Sequence, residues 1–178
     1  MLRRKGFTLI EAIIAILISG ILSAIAVLTL PNTAGMSLDM AARRVQSDIR
    51  YIQSLAVSTQ RWTGITFSAA SDNYALYSDG LDDGVSDPSG WAIISDPLTR
   101  GNYIIQLNSG EFAGIDLNTV YFNGDDNSLV FDRWGNPYSY TGSGAPVALN
   151  NPAGVRLTSA SGTIDLVVER GTGRVYTQ

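Results

Sequence analysis

From Ala12 to Leu30 the chain runs nineteen residues without a charge, AIIAILISGILSAIAVLTL. A helix needs roughly 20 apolar residues to cross a bilayer, so this run is close to a full span. Pro31 follows at once, with Asn32, Thr33 and Gly35 behind it. A missing amide donor and a glycine predict a kink or a short unwound stretch there. From Ser37 to Ser58 the spacing changes: Leu38, Ala41, Val45, Ile49, Ile52 and Ala56 recur every three or four residues. That period predicts a second, amphipathic helix whose stripe covers a core, with Arg43, Arg44, Asp48, Arg50 and Gln53 mainly elsewhere on the wheel. Beyond Gln60 the apolar runs are short: 64–68, 74–78, 91–94, 103–107, 120–123, 129–131, 155–158 and 164–169, punctuated by Gly, Asn, Asp and Pro. These read as antiparallel strands. The expected class is α+β, a long N-terminal transmembrane and amphipathic helix packed on a small, mostly antiparallel β domain.

Composition sharpens this division. The 45% hydrophobic content would suit a soluble core, but much of it sits in the first thirty residues. The net charge of −4 also hides a split: Arg3, Arg4 and Lys5 precede the apolar run, whereas six arginines face thirteen acids beyond Gln60. An acidic distal domain argues against nucleic acid as a partner. The chain has neither Cys nor His, which excludes thiolate and imidazole metal sites, disulfides and any triad with a histidine base.

The basic cluster predicts a cytoplasmic N-terminus and translocation of everything after Leu30. A cleaved secretory signal would have an apolar region of roughly 7 to 15 residues; this run is longer, and Glu11 sits where such a region is most apolar. A plain signal anchor fits the length but leaves Glu11 unexplained. A carboxylate at the mouth of a span is costly unless paired, which marks it as functional.

Gly6, Phe7, then Thr8-Leu9-Ile10-Glu11 and a long apolar helix closely resemble the class III signal of type IV pilins and pseudopilins. The resemblance implies that a prepilin peptidase cuts between Gly6 and Phe7, that the new Phe7 amine is methylated, and that the helix is retained. It also implies that Glu11 meets the N-terminal amine of a neighbouring subunit. An α-amine with a reference pKa of about 8 is cationic at neutral pH, so each inserted subunit carries one charge of each sign. Isolated intramembrane charges cost on the order of 2.5 to 3.5 kcal/mol, and pairing between subunits relieves both. Glu11 then reads as a device that sets the axial register of a filament. Ala15, Ser19 and Ser23, with Gly20 and Ala24 beside them, form a small-residue stripe that suits close helix packing but is also common in any span.

Three further stretches, AARRVQSDIRYIQSLAVSTQRWTGITF, FDRWGNP and the closing GTIDLVVERGTGRVYTQ, are similar to the GspH/FimT family of minor pseudopilins. That resemblance implies a non-enzymatic subunit of the type II secretion pseudopilus, which helps export folded proteins across the outer membrane. It implies a cleaved leader at 1–6, a transmembrane part at 7–30, an amphipathic part at 31–60 and a β-rich periplasmic domain at 61–178. The chain would be a single-pass protein of the bacterial inner membrane. Its partners would be prepilin peptidase, other pseudopilins in a hetero-polymeric filament, and components of the secretion platform. The alternative within the class is a minor type IV pilin acting in pilus assembly or DNA uptake. Some such relatives bind DNA through Gly-Arg-x-Arg near the C-terminus; here Gly173-Arg174-Val175-Tyr176 lacks the second arginine. An alternative of another class is a membrane-anchored calcium- or ligand-binding periplasmic module.

The calcium reading rests on SDGLDDGVSDPSG at 78–90. Asp79, Asp83, Gly84 and Asp87 fit positions one, five, six and nine of a calcium loop, but Leu81 and Gly90 occupy positions three and twelve, where oxygen ligands are needed. A solvated acidic loop explains the same residues, and no other cofactor is indicated. Asp125, Asp126 and Asp132 lie in turn-like stretches and do not make a general acid-base pair. Neither a phosphate-cradling glycine loop nor a G-x-S-x-G elbow occurs. Trp91, Trp134 and the tyrosines suit core and subunit contacts.

Overall fold

The structure, a computed structural model, describes residues 8–28, 33–80, 90–124, 126–142, 144–150 and 152–178. It divides into two compact units, Met1–Asn32 and Thr33–Gln178. The kink expected at Pro31 lies outside the described residues.

In the first unit, α1 spans Leu9–Leu28. Thr8 caps it: its carbonyl accepts from the Glu11 amide at 3.1 Å, and its Oγ1 accepts from the same amide at 3.4 Å. Thr-Leu-Ile-Glu is the residue order of a capping box, with Glu11 in the first helical turn. Past this cap the helix is apolar on every side, and Leu9, Ile10, Ile13, Ile16 and Leu17 are all exposed. At about 1.5 Å per residue, twenty residues reach roughly 30 Å. The predicted span of Ala12 to Leu30 extends past the described residues, and among those no helix is long and apolar enough to cross a membrane.

In the second unit, α2 spans Thr33–Thr59, starting four residues before the predicted Ser37. Its stripe is as the period predicts: Leu38, Ala41, Val45, Ile49, Ile52 and Ala56 are all buried. The helix stops at Gln60, whose φ of 56° turns the chain back so that the Arg61 amide donates to the Ala56 carbonyl. This is a Schellman closure made with glutamine in place of glycine.

Two antiparallel sheets receive that stripe. The first contains β1 (Thr63–Ser68), β2 (Asn73–Ser78), β3 (Ala92–Ile93), β4 (Ile104–Gln106), β6 (Ser128–Phe131), β7 (Pro137–Tyr140) and β8 (Val147–Ala148), ordered β3-β2-β1-β6-β7-β8, with β4 also on β2. The second contains β5 (Asp116–Tyr121), β9 (Ala153–Ser159), β10 (Gly162–Val168) and β11 (Val175–Thr177), ordered β11-β10-β9-β5. α2 contacts both sheets. Ile65, Phe67, Tyr74, Leu76, Leu129 and Phe131 from the first sheet join Val155, Leu157, Leu166 and Val168 from the second in one core beneath it.

All eight expected runs lie on strands, one of them shifted in extent, and three further strands, β7, β8 and β11, lie outside those runs. The run at 120–123 belongs to a strand that begins at Asp116, because β9 pairs back along it as far as Asp116↔Thr158. β7 and β8 carry no sequence signal. β7 is the polar PYSY, held extended by its register on β6, Phe131↔Pro137 to Ser128↔Tyr140, and its proline is tolerated as the first residue of the strand.

Gly154 shows how closely the second sheet is packed. It lies on β9 opposite Val167 and Tyr121. A Cβ there would overlap the Leu166 carbonyl oxygen and approach the Tyr121 hydroxyl at 2.8 Å. Gly154→Ala is therefore expected to reduce stability by roughly 2–3 kcal/mol, read as a lower urea midpoint with an unchanged slope.

Candidate functional site

Glu11 sits on the first turn of α1 with its side chain exposed. Among the described residues its carboxylate accepts no hydrogen bond and makes no ion pair. Thr8 fixes the backbone at this point but leaves the carboxylate facing outward. Ser19 spends its hydroxyl on the Ala15 carbonyl at 2.6 Å, so the small stripe presents little polarity to a neighbouring helix. Gly6 and Phe7 lie outside the described residues.

The acidic loop is described only at its start. Asp79 is buried, and its amide donates to the Trp62 carbonyl at 2.9 Å. Asp83 and Asp87 lie outside the described residues, and among those no three carboxylates gather around a common point. Asp125 is also outside them. Asp132 is the hub of the β6–β7 turn: Oδ1 accepts from the Trp134 and Asn136 amides at 2.9 Å, and Oδ2 accepts from Asn136 Nδ2 at 2.8 Å. Trp134 stands exposed on this turn.

One polar cluster escaped the sequence reading. Asp48, assigned there to the polar side of the helix, is 3% exposed. Its Oδ2 accepts from Tyr74 at 2.7 Å and from Arg44 Nε at 3.1 Å, and its Oδ1 accepts from Tyr103 at 2.8 Å. Arg44 Nη2 donates to the Tyr103 hydroxyl at 3.1 Å, and its guanidinium lies 5.8 Å from the centre of that ring. Tyr51 stacks on the Tyr103 ring with centroids 6.1 Å apart. The signal was in the spacing: Asp48 is three residues after Val45 and four before Ile52, so it shares their stripe. Burial, then Asp48, holds the Tyr74 hydroxyl well above the ordinary tyrosine range, and the same causes push Tyr103 up to about 12. Burial alone would lower Arg44, but the Asp48 charge and hydrogen bond outweigh it and raise the guanidinium. A proton-loaded cluster so tightly shared is suited to fixing α2 on its sheet.

The first unit thus carries an exposed carboxylate at the start of an apolar helix, and the second a helix laid across two antiparallel sheets. The comparisons name the class. The prokaryotic N-terminal methylation motif matches residues 1–27, and the profile of the type II transport protein GspH matches residues 41–173. The chain belongs to the GspH family, the minor pseudopilins of type II secretion, which are structural subunits. It is 25% identical over 128 residues to the type II secretion system protein H of Klebsiella pneumoniae, covering 70% of this chain and 72% of that one. The crystal structure of the type IV minor pilin FimU of Pseudomonas aeruginosa aligns at a TM-score of 0.48 and 16% identity, covering 83% of this chain and 92% of that one. That likeness is too loose to bear on function. The methylation motif implies processing by a prepilin peptidase, and with the family it indicates a membrane-anchored subunit.

Asp48→Ala leaves two buried hydroxyls and a half-buried guanidinium without their acceptor, a loss expected at roughly 3–5 kcal/mol. The raised tyrosines set the alkaline limit. An unfolded tyrosine ionises near 10 while Tyr103 holds its proton to about 12, so this stabilisation is complete below pH ~10 and disappears as pH rises toward 12. Urea titrations from pH 8 to 11.5 should show wild type weakening above pH 10, and Tyr103→Phe should weaken less steeply.

Proposed function

We propose that this chain enters the type II secretion pseudopilus through a pairing of Glu11 with the methylated Phe7 amine of an adjacent subunit, after cleavage between Gly6 and Phe7. The observation that carries the reading is the exposed Glu11 carboxylate, on a backbone turn capped by Thr8 at the head of an apolar helix. In lipid an uncompensated charge there favours any arrangement that supplies a cation at the same depth. A mature N-terminal amine lies one helical turn before Glu11 in sequence, so the neighbour that satisfies the pair is axially displaced, and the stagger of the filament follows. The Thr33–Gln178 domain then stands in the periplasm, with the N-terminus cytoplasmic and one membrane pass. Its partners are other pseudopilins and components of the secretion platform.

Deleting the gene in its native host should remove particular folded exoproteins from the medium while their periplasmic pools remain. Wild-type complementation should restore them. Glu11→Ala should accumulate in the membrane fraction, fail to restore export, and fail to co-purify with other pseudopilins. Full restoration by Glu11→Ala would remove the pairing from the account.

A further inference from the structure

Residues 33–178 contain nine arginines and fifteen acids. Three arginines are held by carboxylates: Arg43 by Asp39, Arg44 by Asp48 and Arg156 by Asp165. Five others, Arg50, Arg61, Arg133, Arg170 and Arg174, have no ion pair among the described residues. Gln53 brings the segments that carry Arg133 and Arg174 beside the helix that carries Arg50. Its Nε2 donates to the Gly135 carbonyl at 2.9 Å and the Thr172 carbonyl at 2.7 Å. It thereby ties α2 to the β6–β7 turn, which carries Arg133 and Trp134, and to the β10–β11 turn, which carries Arg170 and Arg174. Arg50 Nη2 donates to the Val175 carbonyl at 3.3 Å, and Gln60 Nε2 to the Arg133 carbonyl at 3.3 Å. Arg61 follows at the end of the helix.

Two acids share these turns, and both are engaged locally. Asp132 is buried within its own turn, and Glu169 accepts from the Thr172 hydroxyl at 2.8 Å. Setting aside these two, buried Asp48, and Arg50, Arg61, Arg133 and Arg174, the described residues of the unit hold five arginines and eight acids, a net acidic remainder.

A groove of about 400 Å³ opens between α2 and the β6–β7 turn, lined by Arg50, Gln53, Val57, Trp134 and Gly135 among others. Trp134 is 73% exposed and Val57 45%. The tryptophan sits on a supported turn: its amide donates to Asp132, and Gly135, at φ 84°, lies where an added Cβ would come within 3.0 Å of Val57. A solvent-facing tryptophan sharing a groove with Arg50, on a turn that also carries Arg133, matches the composition of binding hot spots.

We propose that this groove docks a carboxylate-bearing segment of an adjacent filament subunit, with Trp134 as the apolar anchor and the arginines gripping the carboxylates. Guanidinium forks suit carboxylates bidentately. The net acidic remainder of this same domain shows the kind of surface that a second copy or a related subunit of a hetero-polymeric filament would offer. A protein segment is favoured over nucleic acid because the acidic body repels a long polyanion. A short segment meets only the local field, within roughly 10 Å at 0.1 M salt. This inference rests on the filament-subunit reading.

The test places a benzophenone amino acid at position 134 of the full-length chain in its native host and maps photo-adducts by mass spectrometry. Adducts should fall on Asp- or Glu-bearing peptides of a second copy or another pilin-like subunit. Yield should drop at least fivefold in the Arg133→Glu, Arg174→Glu double variant and stay within twofold in the Arg→Lys pair, all three proteins having matched thermal unfolding. Adducts confined to nucleic acid, to lipid or to peptides without carboxylates would overturn the inference, as would no adduct or an undiminished yield after charge reversal. If Glu11→Ala abolishes co-assembly while the position-134 probe reports one of these, the docking inference alone fails. If Glu11→Ala co-assembles like wild type, the filament-entry reading fails whatever the probe reports.

Discussion

One stripe on one helix holds residues 33–178 together. Leu38, Ala41, Val45, Ile49, Ile52 and Ala56 lie against both sheets, so a displacement of α2 by a single turn would uncover the core on both sides. Apolar packing is non-directional and resists such a slip weakly. Asp48 supplies the direction. Its carboxylate, two tyrosine hydroxyls and the Arg44 guanidinium are all satisfied at one rotation and one height of the helix. A buried network of this kind favours one arrangement sharply, because every other leaves a polar group dry and unbonded.

What that anchoring positions is the far end of α2. With the helix fixed, Gln53 can hold two turns from different sheets at once. Gly173 lies where a Cβ would come within 2.7 Å of both Gln53 and Phe131, so the second turn reaches the helix because that residue has no side chain. The turns that carry Arg133 and Arg174, far apart in the chain, both reach α2 at this joint. In the first unit the division of labour is simpler: Thr8 closes the helix start, and the Glu11 side chain stays exposed.

The sequence was informative where chemistry and periodicity coincide. The α2 stripe, the short apolar runs of β1, β2, β9 and β10, and the motif from Gly6 to Glu11 are all local patterns. β7 and β8 were silent because their strands are imposed by β6 and its turn instead of by their own alternation. Asp48 was read as a polar-face residue by its charge, although its spacing placed it among the buried positions. The meeting of the Arg133 and Arg174 turns with α2 had no linear signature at all: an excess of thirteen acids over six arginines beyond Gln60 described only the average.

The account stands or falls on the chain being a processed subunit whose apolar helix and Glu11 survive maturation. Intact mass and N-terminal sequencing of the protein from native membranes measure this directly. The account predicts a mature chain that begins with N-methylated Phe7 and has lost the first six residues. A retained Met1, or a cut beyond Glu11 that discards the apolar helix, would contradict it.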